Sequence, residues 1–205
     1  MRLAILVLVA ALSALIPPRA SAQRTERAAR LVQTGRALVT SGNPNSAISY
    51  FRQAIHVDSH FADAYLELAE LYMGQRRDAL ALEVIQVGLR RVRSPALHLL
   101  LARAQRERGD LNEAARTLLE LVRREPSWVP AHAARAEVAR ARGRWSEALA
   151  SYRAILALAE EGATVSEETV TDARRYVGAL QLLVGELDPA SRCTADPLRS
   201  ALCAL

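Results

Sequence analysis

The chain has 205 residues, of which 51% are hydrophobic and only 4% aromatic. That length allows one ordinary domain or a short repeat array, and its many Ala and Leu residues favour helices, because both lose little entropy there. The net charge is +5 and all 27 basic residues are Arg. The arginines are interleaved with 22 acidic residues and with few aromatics. This indicates a solvated surface, and it argues against nucleic acid as the partner, although Arg-mediated binding of nucleic acid stays a minor alternative.

The first 22 residues have the three parts of a secretory signal peptide. Arg2 is a minimal basic start, residues 3–16 form an apolar run, and residues 20–22 read Ala-Ser-Ala, the small-x-small pattern that signal peptidase cuts. The alternative is a membrane anchor, but a helical run of 14 residues spans about 21 Å, less than the bilayer core of about 30 Å. We therefore predict cleavage between Ala22 and Gln23, which releases an exported protein, periplasmic or secreted, that does not span the membrane.

A turn motif recurs through the rest of the chain: Gly, a few polar positions, then Ala. It stands at residues 42–47, 109–114 and 143–148, and at 76–81 with Arg76 in place of the glycine. The motif alanines are 34, 33 and 34 residues apart, at Ala47, Ala81, Ala114 and Ala148. Four residues after each comes a large side chain, at Phe51, Ile85, Leu118 and Tyr152. Seven residues before each turn comes a small one, at Gly35, Ala69, Ala102 and Ala136.

This pattern resembles the tetratricopeptide-repeat (TPR) family, whose unit is a helix–turn–helix of about 34 residues. The resemblance implies an all-α, right-handed superhelical solenoid of antiparallel helix pairs, with the repeats within residues 23–162, at about 28–61, 62–94, 95–128 and 129–162. It also implies a scaffold or adaptor that binds another protein or peptide, with no enzymatic activity and no cofactor. In physical terms, the small residues let paired helices approach closely, and the turn glycine adopts the left-handed conformation that ends the first helix.

Residues 163–205 predict a long helix followed by a modified fifth repeat that closes the array. Gly185 begins a further copy of the turn motif. Seven residues earlier, Val177 and Gly178 take the place of the small residues in the first-helix core. Thr164 and Glu167 have the spacing of a capping box, which predicts where the long helix begins.

The only two cysteines, Cys193 and Cys203, lie in this terminal segment. An even number of cysteines in an exported chain predicts a disulfide, because the compartments outside the cytoplasm are oxidising. Two free buried thiols are the alternative.

The resemblance also indicates where a partner would bind. In TPR proteins the first helix of each repeat lines the concave face, where peptides lie. The corresponding residues of this chain are Arg36, Glu70, Met73, Arg103, Arg106, Glu137 and Arg140. The signs at the ninth place of each repeat alternate, and we interpret this as salt bridges between neighbouring repeats. The alternative is a basic patch of Arg103, Arg106 and Arg140 that binds an acidic segment or a carboxylate.

One cluster near the end of the first repeat suggests chemistry: His56, Asp58, Ser59 and His60. A helix is expected to end there, so the two histidines do not share a helical face, and no third ligand has suitable spacing; we predict no metal site. A hydrolase or enzyme-accessory role for Asp58 and His60 stays an alternative function. Two further histidines align with Leu31 and Tyr65 of the first two repeats, and we interpret both as packing residues, at His98 and His132.

Overall fold

The computed structural model describes residues 18–187, and this part of the chain consists of helices and their connections. The helices are α1 (Pro18–Thr40), α2 (Pro44–Val57), α3 (Ala62–Gly74), α4 (Asp78–Arg91), α5 (Pro95–Glu107), α6 (Leu111–Arg124), α7 (Val129–Ala141), α8 (Trp145–Glu160) and α9 (Glu167–Leu187). Among these helices none has the length and apolarity needed to cross a membrane. Most of the predicted signal peptide lies outside the described residues, and so do Cys193 and Cys203.

The chain divides into two compact units, Met1–Leu97 and His98–Leu205. In the first unit α1 packs on α2, α2 on α3 and α3 on α4, and α1 also contacts α3. In the second unit α6 packs on α7, α7 on α8 and α8 on α9. Within these sets each helix packs on its neighbour in the chain, and a short turn makes the two members of a pair antiparallel. The predicted all-α fold of antiparallel helix pairs is confirmed.

The repeated small and large residues of the second helices form the core of both units. All four motif alanines are completely buried. Of the large residues that follow them, Phe51, Ile85 and Leu118 are completely buried and Tyr152 nearly so. Burial of such a side chain stabilises the fold by about 1.5–3 kcal/mol. The sequence period therefore marks the positions where each helix pair meets its neighbours.

The first helix pair is packed around a glycine. A Cβ built on Gly35 would lie 2.3 Å from Cε1 of Phe51. In the second and third repeats the aligned residues are Ala69 and Ala102, opposite aliphatic Ile85 and Leu118. The absence of a side chain at Gly35 therefore makes room for the ring of Phe51.

The turns that join the paired helices all use a left-handed residue. Gly42, Gly109 and Gly143 have φ of 81°, 85° and 67°, and Arg76 takes the same conformation with φ of 59°. In each turn the N–H of the following residue donates to the carbonyl five residues earlier, for example Asp110 N–H to Gln105 O at 2.9 Å. This bond satisfies a carbonyl that the helix end would leave open. The left-handed turn that the sequence predicts is confirmed.

Arg76 is the one non-glycine residue with positive φ in the described chain, and we expect Arg76→Gly to stabilise it. The left-handed conformation costs a non-glycine residue about 1–2 kcal/mol, and replacement by glycine removes this cost. Part of the gain in stability is lost, because glycine has more conformational entropy in the unfolded chain. The free energy of unfolding, measured by urea denaturation, should rise by about 1 kcal/mol. Gly109→Ala is the matched control and should lower it by a similar amount. A destabilised Arg76→Gly protein would contradict the strain assigned to this turn.

Helix α9 differs from the prediction in three details. Its first turn is capped by Ser166, whose Oγ accepts the N–H of Thr169 at 3.2 Å, and not by Thr164. Helix α9 continues through Gly185, so no turn begins there. Gly178 is exposed, and within residues 167–181 of α9 the buried positions are Ala173 and Leu180. The apolar face that packs on α8 therefore has a different register from the expected one, because it is set by contacts with α8 and not by the spacing to a glycine.

Candidate functional site

The solvent side of α1 and α3 brings together charged residues of the first two repeats. Arg36 Nη2 lies 2.7 Å from Oε1 of Glu67 and 4.0 Å from Oδ2 of Asp63. The hydrogen bond to Glu67 raises the pKa of the Arg36 guanidinium, although partial burial opposes the shift; the negative charges of Glu67, Asp63 and Glu70 add to the rise. Carboxylates of α3 therefore surround a single guanidinium of α1.

The carboxylates of α3 form a continuous row, which we name the acidic strip. It consists of Asp63, Glu67 and Glu70. Residues spaced by four and then three lie on one face of a helix, so the three side chains follow each other along α3. Val39 lies three residues after Arg36 on α1, and 40% of its surface is exposed. Acidic groups and an exposed aliphatic side chain thus stand close to Arg36.

The first helices of the second unit are joined by a similar pair. Arg106 of α5 forms an ion pair with Glu137 of α7, and Arg103 is exposed. Arg36 and Glu67 are 31 residues apart in the sequence, and Arg106 and Glu137 have the same separation. Salt bridges between neighbouring repeats are therefore present in both units, where they join Arg36 to Glu67 and Arg106 to Glu137.

Arg140 is engaged by two tyrosines. Its Nη1 donates to the hydroxyl of Tyr152 at 3.3 Å, and its guanidinium lies 4.0 Å from the ring centroid of Tyr176 on α9. The two tyrosine rings are stacked at 4.9 Å. Burial raises the pKa of the Tyr152 hydroxyl, and the hydrogen bond to Tyr152 raises that of Arg140. Arg140 therefore holds α9 against α8, a role that the sequence did not indicate.

Met73 does not belong to the solvent-facing surface. It is only 8% exposed. It lies four residues after the buried Ala69 and next to the buried Tyr72, on the side of α3 that faces the core. An apolar side chain at this place is drawn into the helix packing, so Met73 offers a partner little surface to contact.

The cluster at the end of α2 is a structural clamp. Asp58 Oδ2 accepts the hydroxyl of Thr25 at 2.6 Å, and Oδ1 accepts the backbone N–H of His60 at 2.9 Å. Burial alone would raise the pKa of the Asp58 carboxyl, but these hydrogen bonds outweigh it and the pKa is lowered. The Nδ1 atom of the His60 ring lies 3.4 Å from the hydroxyl oxygen of Ser59. No group of three or more potential metal ligands occurs within residues 18–187. The cluster thus fastens α1 to the turn between repeats.

Two first-helix side chains close the turns between repeats in the same manner. The hydroxyl of Tyr65 donates to Ser59 O at 3.0 Å, and Nε2 of His132 lies 2.8 Å from Pro126 O. In both cases the carbonyl belongs to the residue six positions earlier. His132 is also buried. Its interpretation as a packing residue is confirmed.

A groove between α6, α7 and α8 was not indicated by the sequence. Its volume is about 570 Å³. Its lining combines three arginines with small or aliphatic residues and one acid: Asn112, Ala115, Arg116, Leu119, Arg135, Ala139, Arg142 and Glu147. The signal that could have revealed it is the replacement of Leu68 and Tyr72 of the second repeat by Arg135 and Ala139 in the fourth.

Comparison with known proteins places the chain in a family. A family model described as tetratricopeptide repeat matches residues 32–94 and 99–163. Tetratricopeptide repeat protein 21A of Mus musculus is 29% identical over 97 residues, which are 45% of this chain and 7% of that protein. The chain therefore spans a small fraction of that relative.

Solved structures agree with this match. YrrB, described as a TPR protein with an unusual peptide-binding site, has a TM-score of 0.55 at 18% identity, with 75% of each chain covered. A thermophilic TPR protein of Thermus thermophilus has a TM-score of 0.57 at 23% identity, covering 86% of this chain and 98% of that one. These likenesses show the fold. Because the family model matches more than half of the chain, the protein belongs to the tetratricopeptide-repeat family, whose members generally act in protein–protein interaction.

Proposed function

We propose that this protein is an exported scaffold that holds a segment of a partner protein on the first-helix face of its repeats. The observation that carries the proposal is the placing of Arg36 beside Asp63 and Glu67, on the solvent side of two adjacent first helices. Membership of a family that acts in protein–protein interaction supports it. The peptide-binding site of YrrB, a protein of the same fold, supports it further.

The chemistry of this face favours a basic partner segment. The acidic strip supplies three carboxylates, and Arg36 is the guanidinium that stands among them. The side chains of Arg36 and Glu67 keep 51% and 23% of their surface exposed. Ion pairs that solvent reaches contribute only about 0–1 kcal/mol. An incoming Arg or Lys can therefore share Glu67 with Arg36 at little cost. Val39 offers a contact for an aliphatic side chain of the same segment.

The first-helix face of the second unit suits this role less well. Arg106 is paired with Glu137, and Arg140 is hydrogen-bonded to Tyr152 and stacked on Tyr176. A partner carboxylate would have to displace these contacts, including a partly buried one. The basic patch of Arg103, Arg106 and Arg140 is for this reason the weaker candidate.

Export is the second part of the proposal, and it is supported by the signal-like sequence of residues 1–22. In the uncleaved chain α1 begins at Pro18 and continues past Ala22 and Gln23. Cleavage at the proposed bond would leave the greater part of α1 in place. Thr25, which donates to Asp58, would then tie the new amino terminus to the turn after α2.

The proposal is tested by capturing partners in the envelope of the native host with a charge-reversed protein. We expect the Asp63→Arg/Glu67→Arg protein to recover at least about tenfold less of the proteins that the unmodified chain captures. The reason is that two charges that attract a basic segment become charges that repel it. Recovery is quantified by mass spectrometry after proximity labelling. The same spectra should show that the protein itself begins at Gln23.

The matched control is Glu120→Arg/Glu125→Arg, which makes the same change in net charge at exposed residues at the end of α6. It should leave recovery within about twofold of the unmodified protein, an energy difference of less than about 0.5 kcal/mol. Circular dichroism checks that both variants are folded. Equal recovery by Asp63→Arg/Glu67→Arg and the unmodified chain would exclude this face as the binding site. A protein that retains residues 1–22 would exclude the proposed cleavage.

A further inference from the structure

The groove between α6, α7 and α8 is separate from the acidic strip and opposite in charge. Arg135 and Ala139 of α7 line it together with Arg142, the residue that directly follows α7 in helical conformation. The three are spaced by four and then three, so they lie on one side of α7. Glu137, which faces Arg106, lies two residues after Arg135 and therefore points to the other side of α7. The groove thus belongs to a different face of the second unit from the pair of first helices described above.

The groove exists because two space-filling side chains are missing. At the corresponding places of the second repeat, Leu68 and Tyr72 are buried, with 2% and 1% exposure. The Tyr72 hydroxyl also accepts a hydrogen bond from Arg52 Nη2 at 2.9 Å. The fourth repeat has Arg135 and Ala139 instead. The change from Tyr to Ala opens the space, and the change from Leu to Arg places a cation in it.

The arginines of the groove differ in how they are held. Arg142 is fixed by Asn112 at 3.2 Å and Glu147 at 3.4 Å, and Arg116 pairs with Glu113 at 3.2 Å. Arg135 is half-buried, and its guanidinium makes no ion pair or hydrogen bond with any residue of the described range 18–187. A guanidinium that is partly removed from water and has no partner is well placed to bind an anion.

The groove also presents an apolar contact. Leu119 is 37% exposed, and only Val39 resembles it among the large hydrophobic residues of the described chain. Ala115 and Ala139 continue this apolar surface between the arginines. The volume of about 570 Å³ lies within the range of about 300–1,000 Å³ that is usual for ligand sites. A ligand that combines a carboxylate with an aliphatic group would satisfy both kinds of surface.

We propose that this groove binds an acidic peptide segment that carries an aliphatic side chain. A carboxylate of the segment pairs with Arg135, where two parallel N–H···O bonds fit the planar guanidinium. The aliphatic side chain lies against Leu119. Three arginines against Glu147 make the lining positive, which is complementary to such a segment. The protein thereby has a second binding surface, with a preference opposite to that of the acidic strip.

The test measures fluorescence polarisation of a fluorescein-labelled peptide with two Glu on each side of a Leu, added to the full chain. We expect saturable binding that Arg135→Leu/Ala139→Tyr weakens by at least about tenfold, which corresponds to about 1.4 kcal/mol. This double variant installs the residues of the second repeat, which fills the groove with side chains that already pack in this fold. Arg135→Gln, which removes only the charge, is the second variant and should weaken binding in the same direction.

Arg123→Leu is the control, because it removes an equal charge from an exposed place on α6 outside the groove. It should leave affinity within about twofold of the unmodified chain. The proposal is overturned if the peptide with Gln in place of Glu binds equally well, or if Arg123→Leu weakens binding as much as the groove variants. It is also overturned if single-stranded DNA displaces the peptide at a lower concentration than the unlabelled peptide does. The Asp63→Arg/Glu67→Arg variant tests binding of a partner at the acidic strip, and the Arg135 variants test binding of the peptide in the groove. Failure of one proposal therefore leaves the other standing.

Discussion

Gly35→Ala is expected to lower the free energy of unfolding by about 2 kcal/mol, although alanine is the better helix former. The new Cβ would lie 2.3 Å from Cε1 of Phe51 and 2.8 Å from Cδ1, closer than carbon atoms approach in folded proteins. Phe51 is completely buried, so its ring cannot move aside without displacing its neighbours. Urea denaturation followed by circular dichroism measures the loss.

Phe51→Leu should rescue this variant, because the third repeat already combines Ala102 with Leu118. Phe51→Leu alone removes buried volume and should cost about 1 kcal/mol or more. The double variant should therefore be more stable than the sum of the two single changes predicts, by at least about 1 kcal/mol. Additive losses would contradict a direct clash between these two positions.

The control for helix propensity is Gly178→Ala. Gly178 lies inside α9, and nothing stands within 4 Å of its Cβ position. Alanine there should stabilise α9 by about 0.5–1 kcal/mol, the usual difference between the two residues in a helix. Opposite signs for the two Gly→Ala changes would show that packing, and not propensity, decides the result at Gly35.

Leu180→Ala is expected to release α9 from the rest of the second unit. Leu180 is only 3% exposed and belongs to the apolar cluster that includes Tyr152 and Ile155. Truncation of a buried leucine costs about 2–5 kcal/mol, and the opening of one helix needs less free energy than unfolding of the whole chain. Hydrogen exchange measured by mass spectrometry should show roughly 100-fold less protection in α9, the factor that corresponds to about 2.7 kcal/mol.

The first unit provides the internal reference for this experiment, since α3 and α4 should keep their exchange rates. Leu119→Ala is the matched leucine control; because Leu119 is an exposed leucine, its truncation should change stability by only about 0.5 kcal/mol. Unchanged protection of α9 in the Leu180→Ala protein would mean that the stacked pair of Tyr152 and Tyr176 is enough to hold the helix.

The sequence predicted the parts of this fold that a single repeat determines by itself. The spacing of Ala47, Ala81 and their equivalents marks buried places, because every repeat must solve the same packing problem between its two helices. Arg76 aligns with the turn glycines in the sequence, and the structure shows that it shares their left-handed conformation. Local rules of this kind hold wherever the environment repeats.

Structural features that depend on the side chains of one particular neighbouring helix could not be predicted from the repeat pattern. The groove at Arg135 and Ala139 becomes visible only when the volume of Tyr72 in the second repeat is compared with the space left in the fourth. The role of Arg140 depends on Tyr176, and so on the register of α9 on α8. Met73 matched the pattern of a surface position, yet its apolar side chain lies in the core.

The packing between successive helices inside each unit has a consequence for how the chain folds. Contacts between elements that are close in sequence need little loop closure, and chains built from them fold fast. The bonds that close the turns span only five residues, so a helix pair can form while later residues are still absent. Helix pairs near the amino terminus can therefore fold progressively while the chain is still emerging, before the later helices are present.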